Sequence, residues 1–306
     1  MYSAGLQAAV TESFHLINTV RVATEHLTRD VRKVVNAGAD DKVLEALYKM
    51  PIFATGQNLR AFTSRSSEDH ERELASLWLF TVIGQFEVWA DELPIPDSSD
   101  GCQFPSRGSS QLSVQRRGFH DVFGSLPPSA KMGAAFGASV ARDPRNLGPR
   151  IDDALALYRL YKECRNSLAH AGGKASQRVE RWGAEVASRA GDLHVDHHGA
   201  LLQPPSFAVG DSVKLSVEQV RCLVAVLFRI AETVESAILL SEIGEADFIQ
   251  RWQSTHGPKP LKVESKKLRR SMWLLARCQE AGVATPSDPR DVGHLLVEAH
   301  LVRVLR

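Results

Sequence analysis

The chain has 306 residues, 43% of them hydrophobic and 24% charged, with a formal net charge of +1. That length fits one large or two modest globular domains. The near-zero balance excludes polyanion binding by bulk charge, so any nucleic-acid contact must come from local patches.

The predicted elements are mostly helical. Residues 4–36 hold no proline, and Phe14, Ile17, Val20, Leu27 and Val31 recur at helical steps. A short helix fits 40–49, before Pro51. Ser66-Ser67-Glu68-Asp69 supplies capping chemistry for a helix over 68–93, closed by Pro94. That helix is apolar on most sides, so it is expected at the centre of a bundle. Residues 94–118 are rich in Ser, Gly and Pro and read as a long flexible insertion. A helical turn is expected over 119–126, and 127–149 show only weak periodicity. A helix over 150–169 carries Ile151, Leu155, Tyr158, Tyr161, Cys164 and Leu168 on one stripe. Residues 192–215 suggest a β-hairpin broken by Pro204-Pro205. Ser216 caps a helix over 217–241, and 245–306 read as a basic, partly helical extension. The expected fold class is therefore mainly α, an antiparallel helical bundle over 1–244 with a small β-hairpin insertion and a helical C-terminal extension over 245–306.

Cys102, Cys164, Cys222 and Cys278 are far apart and form no Cys-x-x-Cys pair, which points to a reduced, cytoplasmic protein. The N-terminus lacks a basic segment followed by an apolar core, and no apolar run approaches ~20 residues, so neither a secretory signal nor a membrane span is expected.

The most informative stretch is Arg165-Asn166-Ser167-Leu168-Ala169-His170, followed by Ala171-Gly172-Gly173. It places a guanidinium, an amide and an imidazole at the end of a predicted helix. Arg followed five residues later by His occurs five times, at 21/26, 65/70, 165/170, 189/194 and 251/256. Only the 165/170 copy has Asn second, an amphipathic helix before it and a glycine pair after it. An imidazole can shuttle protons at neutral pH. A guanidinium grips phosphate oxygens in fork geometry and cannot give up its proton. Arg165 and His170 lie about 140° apart around an ideal helix. They converge if Arg165 bends, if the last turn unwinds, or if a two-fold dimer brings two copies together. Ordinary termination chemistry also accounts for the same residues: Arg and His suit a helix C-terminus, and Gly follows it.

This stretch resembles the active-site motif of the HEPN superfamily, which is Arg, a polar residue, a short spacer, then His. By architecture the resemblance covers roughly 68–241; by specific residues it covers 165–170 alone. It implies a metal-independent endoribonuclease, a hydrolase that acts as a homodimer with a composite cleft. The RNA 2′-hydroxyl attacks, leaving a 2′,3′-cyclic phosphate and a 5′-hydroxyl. His170 would be general acid/base, Arg165 the transition-state clamp, and Asn166 the orienter of phosphate or imidazole. The implied setting is a toxin–antitoxin pair or antiviral defence, with an inhibitory antitoxin or defence-system partner. Some members carry a tyrosine two residues past the histidine; Gly172 stands there, so regulation through such a tyrosine is not expected. Members without activity imply the alternative, a non-catalytic RNA- or protein-binding subunit of a larger complex. Gln85, Glu87 and Asp91 are candidates for a cleft-facing polar residue on the preceding long helix.

Two other constellations stand in the sequence. Lys266, Lys267, Arg269 and Arg270, with Trp252 and Trp273 nearby, suit single-stranded RNA; solvated charge on an exposed helix is the plainer reading. His194, Asp196 and His198 would share one strand face and could ligate zinc or manganese, but His-His-Gly is also a natural turn. No metal and no cofactor is assigned. Phosphate-loop, dinucleotide, zincin and nucleophile-elbow motifs are missing from the sequence.

Overall fold

The computed structural model describes residues 3–48, 59–93, 126–189, 203–263, 267–282, 286 and 288–304. The protein is mainly α-helical, with one small sheet among the described residues. In chain order the helices are α1 (Ser3–Asn36), α2 (Asp41–Tyr48), α3 (Leu59–Ser64), α4 (Ser67–Asp91), α5 (Ala130–Arg142), α6 (Ile151–His170) and α7 (Gln177–Ser188). They continue with α8 (Val217–Leu239), α9 (Glu242–His256), α10 (Lys267–Glu280) and α11 (Pro289–Glu298). Strands β1 (Leu261–Val263) and β2 (Val302–Val304) pair in parallel, Lys262 opposite Arg303. The expected helices over 4–36, 40–49, 68–93, 150–169 and 217–241 thus form within about two residues of their anticipated ends.

Contacts group the chain differently from a division at 244/245. One unit comprises Met1–Gln7, Phe86–Leu155 and Val226–Arg306; the other comprises Ala8–Gln85 and Ala156–Ala225. In the first unit the C-terminal region is core rather than appendage. Met132, Ala135 and Phe136 of α5 pack with Phe248 and Trp252 of α9, Leu274 and Cys278 of α10, and Leu295 and Leu296 of α11. Polar contacts reinforce this packing. Ser129 Oγ donates to Glu245 at 2.6 Å, and Lys131 reaches both Glu245 and Glu298 at 3.2 Å.

In the second unit α1 and α4 run antiparallel. Trp78 Nε1 donates to Ser13 Oγ at 3.1 Å, and Gln85 Nε2 donates to the Ala9 carbonyl at 3.2 Å. Gln85 is therefore engaged in helix packing. A satellite cluster of Val31, Leu44 and Leu59 ties α1 to α2 and α3. Helix α6 is enclosed along its middle: from Ala154 to Cys164 every residue except Arg159 is buried; α4 buries Trp78, Leu79, Val82, Ile83 and Phe86 but leaves Leu77 60% exposed. Tyr161 donates to the Gln219 carbonyl of α8 at 2.9 Å.

Three readings of the sequence need correction. The weakly periodic 127–149 segment contains α5. Its stripe of Met132, Ala135 and Phe136 is diluted by Gly133 and Gly137, while Ser129 caps it by accepting from Met132 N–H. Helix α7 was not anticipated at all, although Ser176 caps it and Val179, Trp182, Gly183 and Val186 form its buried stripe. The β-hairpin is not found over 203–215, which forms no strand; 192–202 lie outside the described residues. The segment pairs instead with the chain just after α6, through an isolated bridge of Lys174 with Ser212 and the bond from Ala175 N–H to Asp211 C=O at 2.8 Å. The insertion over 94–118 also lies outside the described residues, as does the expected turn over 119–126 apart from Leu126.

Candidate functional site

Helix α6 ends at His170 because two glycines follow it. Gly172 and Gly173 have φ of +58° and +73°, a left-handed region that only glycine enters freely. The Ala171 and Gly173 N–H groups both return to the Ser167 carbonyl at 3.0 Å. Val213 N–H donates to the Gly173 carbonyl at 2.8 Å, which braces the turn from the 208–213 segment. A Cβ at Gly172 would meet no atom within 4 Å. Gly172→Ala is therefore expected to cost only the backbone term, about 1–2 kcal/mol, in a urea unfolding titration.

His170 is exposed at this corner. Arg165 and Asn166 are half-buried, and the Arg165 Nη1 donates to Asn166 Oδ1 at 3.2 Å. This bond matters because Asn166 and His170, four residues apart, share a helix face. The Arg165 guanidinium thus reaches the amide of the residue that shares this face with the imidazole. Asn166 Oδ1 is an acceptor that the structure gives to the Arg165 guanidinium.

The other Arg/His pairs of equal spacing are engaged elsewhere. Arg65 grips Glu73 through both Nη atoms at 3.1 and 2.6 Å, while His70 is buried and stacks on Phe62 at 4.3 Å. His256 lies within 3.1 Å of the Arg277 carbonyl with its ring against Trp252, and Arg251 pairs with Asp247. In α1, Arg21 pairs with Glu25 and His26 contacts Arg29. His194 lies outside the described residues.

A turn and a half before Asn166, α6 carries charge that sequence reasoning missed. Arg159 and Glu163 form an ion pair at 2.8 Å with side chains only 11% and 4% exposed, and Lys162 is also buried. Burial holds the Arg159 guanidinium below the ordinary arginine value; Glu163 opposes this, and Arg178 and Arg181 of α7 push it further down. The legible signal was the spacing of 159, 163, 166 and 170, which places all four on one face of α6. Cys164, by contrast, is inert packing: burial pushes its thiol up to about 12.

Among the described residues a cavity of about 460 Å³ is lined by Glu68, Glu71, Arg72, Lys214, Gln219 and Cys222. No motif residue lines it, and His170 is exposed.

The C-terminal basic stretch is only partly placed. Lys266 lies outside the described residues, whereas Lys267, Arg269 and Arg270 fall in the first turn of α10, with Arg270 half-buried. For Trp252 the aromatic part of that reading fails. Trp252 is 1% exposed in the core and cannot stack on a base. Trp273 meets Trp252 edge-on at 6.4 Å, and the Arg277 guanidinium lies over its ring at 5.6 Å. The sequence showed that these rings flank the basic run but not that α9 turns Trp252 inward.

No group of three His, Cys, Asp or Glu side chains suited to a metal occurs among the described residues, and 194–198 lie outside them. No described helix is long and apolar enough to cross a membrane. Compared with family models, with curated proteins and with solved structures, the chain matches none of them.

Proposed function

We propose that this chain is a HEPN-like, metal-independent endoribonuclease, with His170 as general acid/base and Arg165 as the phosphorane clamp. The supporting observation is an exposed imidazole at the end of α6, on the same helix face as an Asn166 amide that accepts from the Arg165 guanidinium. RNA carries its own nucleophile, the 2′-hydroxyl. The protein must take that proton, stabilise charge on the phosphorus oxygens and protonate the departing 5′-oxygen. His170 supplies the proton steps. Arg165 supplies donors whose bonds strengthen as the phosphorane charge develops.

A homodimer completes the proposal. One α6 end offers a single imidazole, whereas the reaction needs a base and then an acid; two facing ends provide both. The bundle reading, an antiparallel set built from α1, α4, α6 and α8, belongs to the same proposal. So do RNA contacts by Lys266, Lys267, Arg269 and Arg270, and a cytoplasmic setting as a toxin or antiviral effector held by an inhibitory partner. The test is cleavage of single-stranded RNA in excess EDTA by the wild type and by His170→Ala. Cleavage by the wild type alone is expected; equal cleavage by both removes His170 as the catalyst.

A further inference from the structure

We propose that the cavity lined by the first turns of α4 and α8 binds a small zwitterion, a free amino acid or dipeptide. The proposal does not rest on the ribonuclease reading, since no residue of the Arg165–His170 motif lines this space. Both walls belong to the one unit that holds Ala8–Gln85 and Ala156–Ala225. One wall is Glu68, Glu71 and Arg72 of α4; the other runs from Lys214 to Cys222. Each wall is braced by a reciprocal cap. At α4, Ser66 Oγ accepts from the Asp69 N–H at 3.0 Å, and Asp69 Oδ2 accepts from the Ser66 hydroxyl at 2.6 Å. At α8, Ser216 Oγ accepts from the Gln219 N–H at 3.1 Å, and Gln219 Oε1 accepts from the Ser216 N–H at 3.0 Å. Two fixed helix starts thus frame a space of about 460 Å³, within the range of small-molecule sites.

The charges lining the cavity sort into paired and free groups. Arg72 pairs with Glu68 and, at 3.5 Å, with Asp69. Glu218 accepts from Arg221 Nε at 2.9 Å. Two charges are left, Glu71 on α4 and Lys214 just ahead of α8. Among the described residues neither side chain has a hydrogen bond or ion pair, and the two do not pair with each other. A carboxylate and an ammonium that line one cavity without closing on each other suit a ligand that carries both charges. Its ammonium would donate to Glu71. Its carboxylate would accept from Lys214, and the nearby start of α8 favours an anion there through the helix dipole. A ligand with one charge would leave the other group unmatched. The Gln203 amide suits a polar side chain, and buried Leu215 adds apolar contact.

The test titrates the full chain by calorimetry with the free proteinogenic amino acids and with glycylglycine, to about 10 mM. The tightest binder is then compared with its N-acetyl and α-amide forms, each of which removes one charge. It should bind about tenfold more tightly than either form. Glu71→Gln and Lys214→Gln should each weaken it about tenfold, with wild-type melting curves, because neither side chain has a partner to lose. Cys222 reports the location: the saturating amino acid or dipeptide should slow its alkylation by N-ethylmaleimide, read by peptide mass. No saturable binding by any of these compounds overturns the proposal. So does equal binding of a blocked form, unchanged affinity in either variant, or unchanged alkylation of Cys222 at saturation.

Discussion

His170→Ala is expected to lower the single-turnover rate of RNA cleavage about 10²–10⁴-fold, the contribution of a positioned general acid or base. Arg165→Ala should cost about 10²–10³-fold, as loss of one charge-stabilising donor does. The double variant should be little slower than the worse single, because groups that act as one unit are not additive. Neither change should unfold the protein. His170 is exposed at a helix end, so its replacement leaves no cavity. Arg165→Lys is the sharper probe. It keeps the charge but loses the fork and the bond to Asn166 Oδ1, so the rate should stay near that of Arg165→Ala. Recovery of the wild-type rate by lysine would mean that Arg165 serves only as a point charge.

A large stability effect is expected in the other unit's core. Trp252 is 1% exposed and packs among Phe248, His256 and Trp273 at ring separations of 6.3, 4.6 and 6.4 Å. Trp252→Ala should cost about 3–5 kcal/mol of unfolding free energy, from lost transfer energy and the cavity left behind. That is a large share of a typical domain's stability. Truncation before residue 245 should be worse still, since it strips the cover from Met132, Ala135 and Phe136. A soluble truncated protein with native helicity would show that the C-terminal region is an extension after all.

Long, capped, strongly periodic segments were readable in the sequence. The runs that became α1, α4, α6 and α8 combine proline-free stretches with apolar residues at helical steps, and local chemistry alone determines those. What the sequence hid depended on tertiary partners. The stripe in α5 is short and interrupted by glycines, and it makes sense only against α9 and α11. Strands β1 and β2 are three residues each, with partners 41 positions apart (Leu261 with Val302), too short for an alternation pattern to show. The 208–213 segment has strand-like composition but pairs with the turn after α6, a choice no local pattern fixes.

The candidate site divides the same way. The residues of the motif and the glycines that end its helix were legible, because chain order alone places Asn166 and His170 on one face. The bend of Arg165 toward Asn166 was not, since a flexible side chain settles only in its surroundings. Arg159 and Glu163 were overlooked because an i, i+4 pair of opposite charges usually marks a solvated face. Here the pair is nearly enclosed.

The central claim is that one imidazole and one guanidinium on α6 cleave RNA by way of its own 2′-hydroxyl. Its most direct test is the chemistry of the ends produced when wild-type protein, in excess EDTA, meets a labelled RNA of defined sequence. The account predicts a 2′,3′-cyclic phosphate and a 5′-hydroxyl, with no cut at a site whose 2′-hydroxyl is replaced by hydrogen. Products bearing a 3′-hydroxyl and a 5′-phosphate, or cutting at the deoxy site, would contradict it.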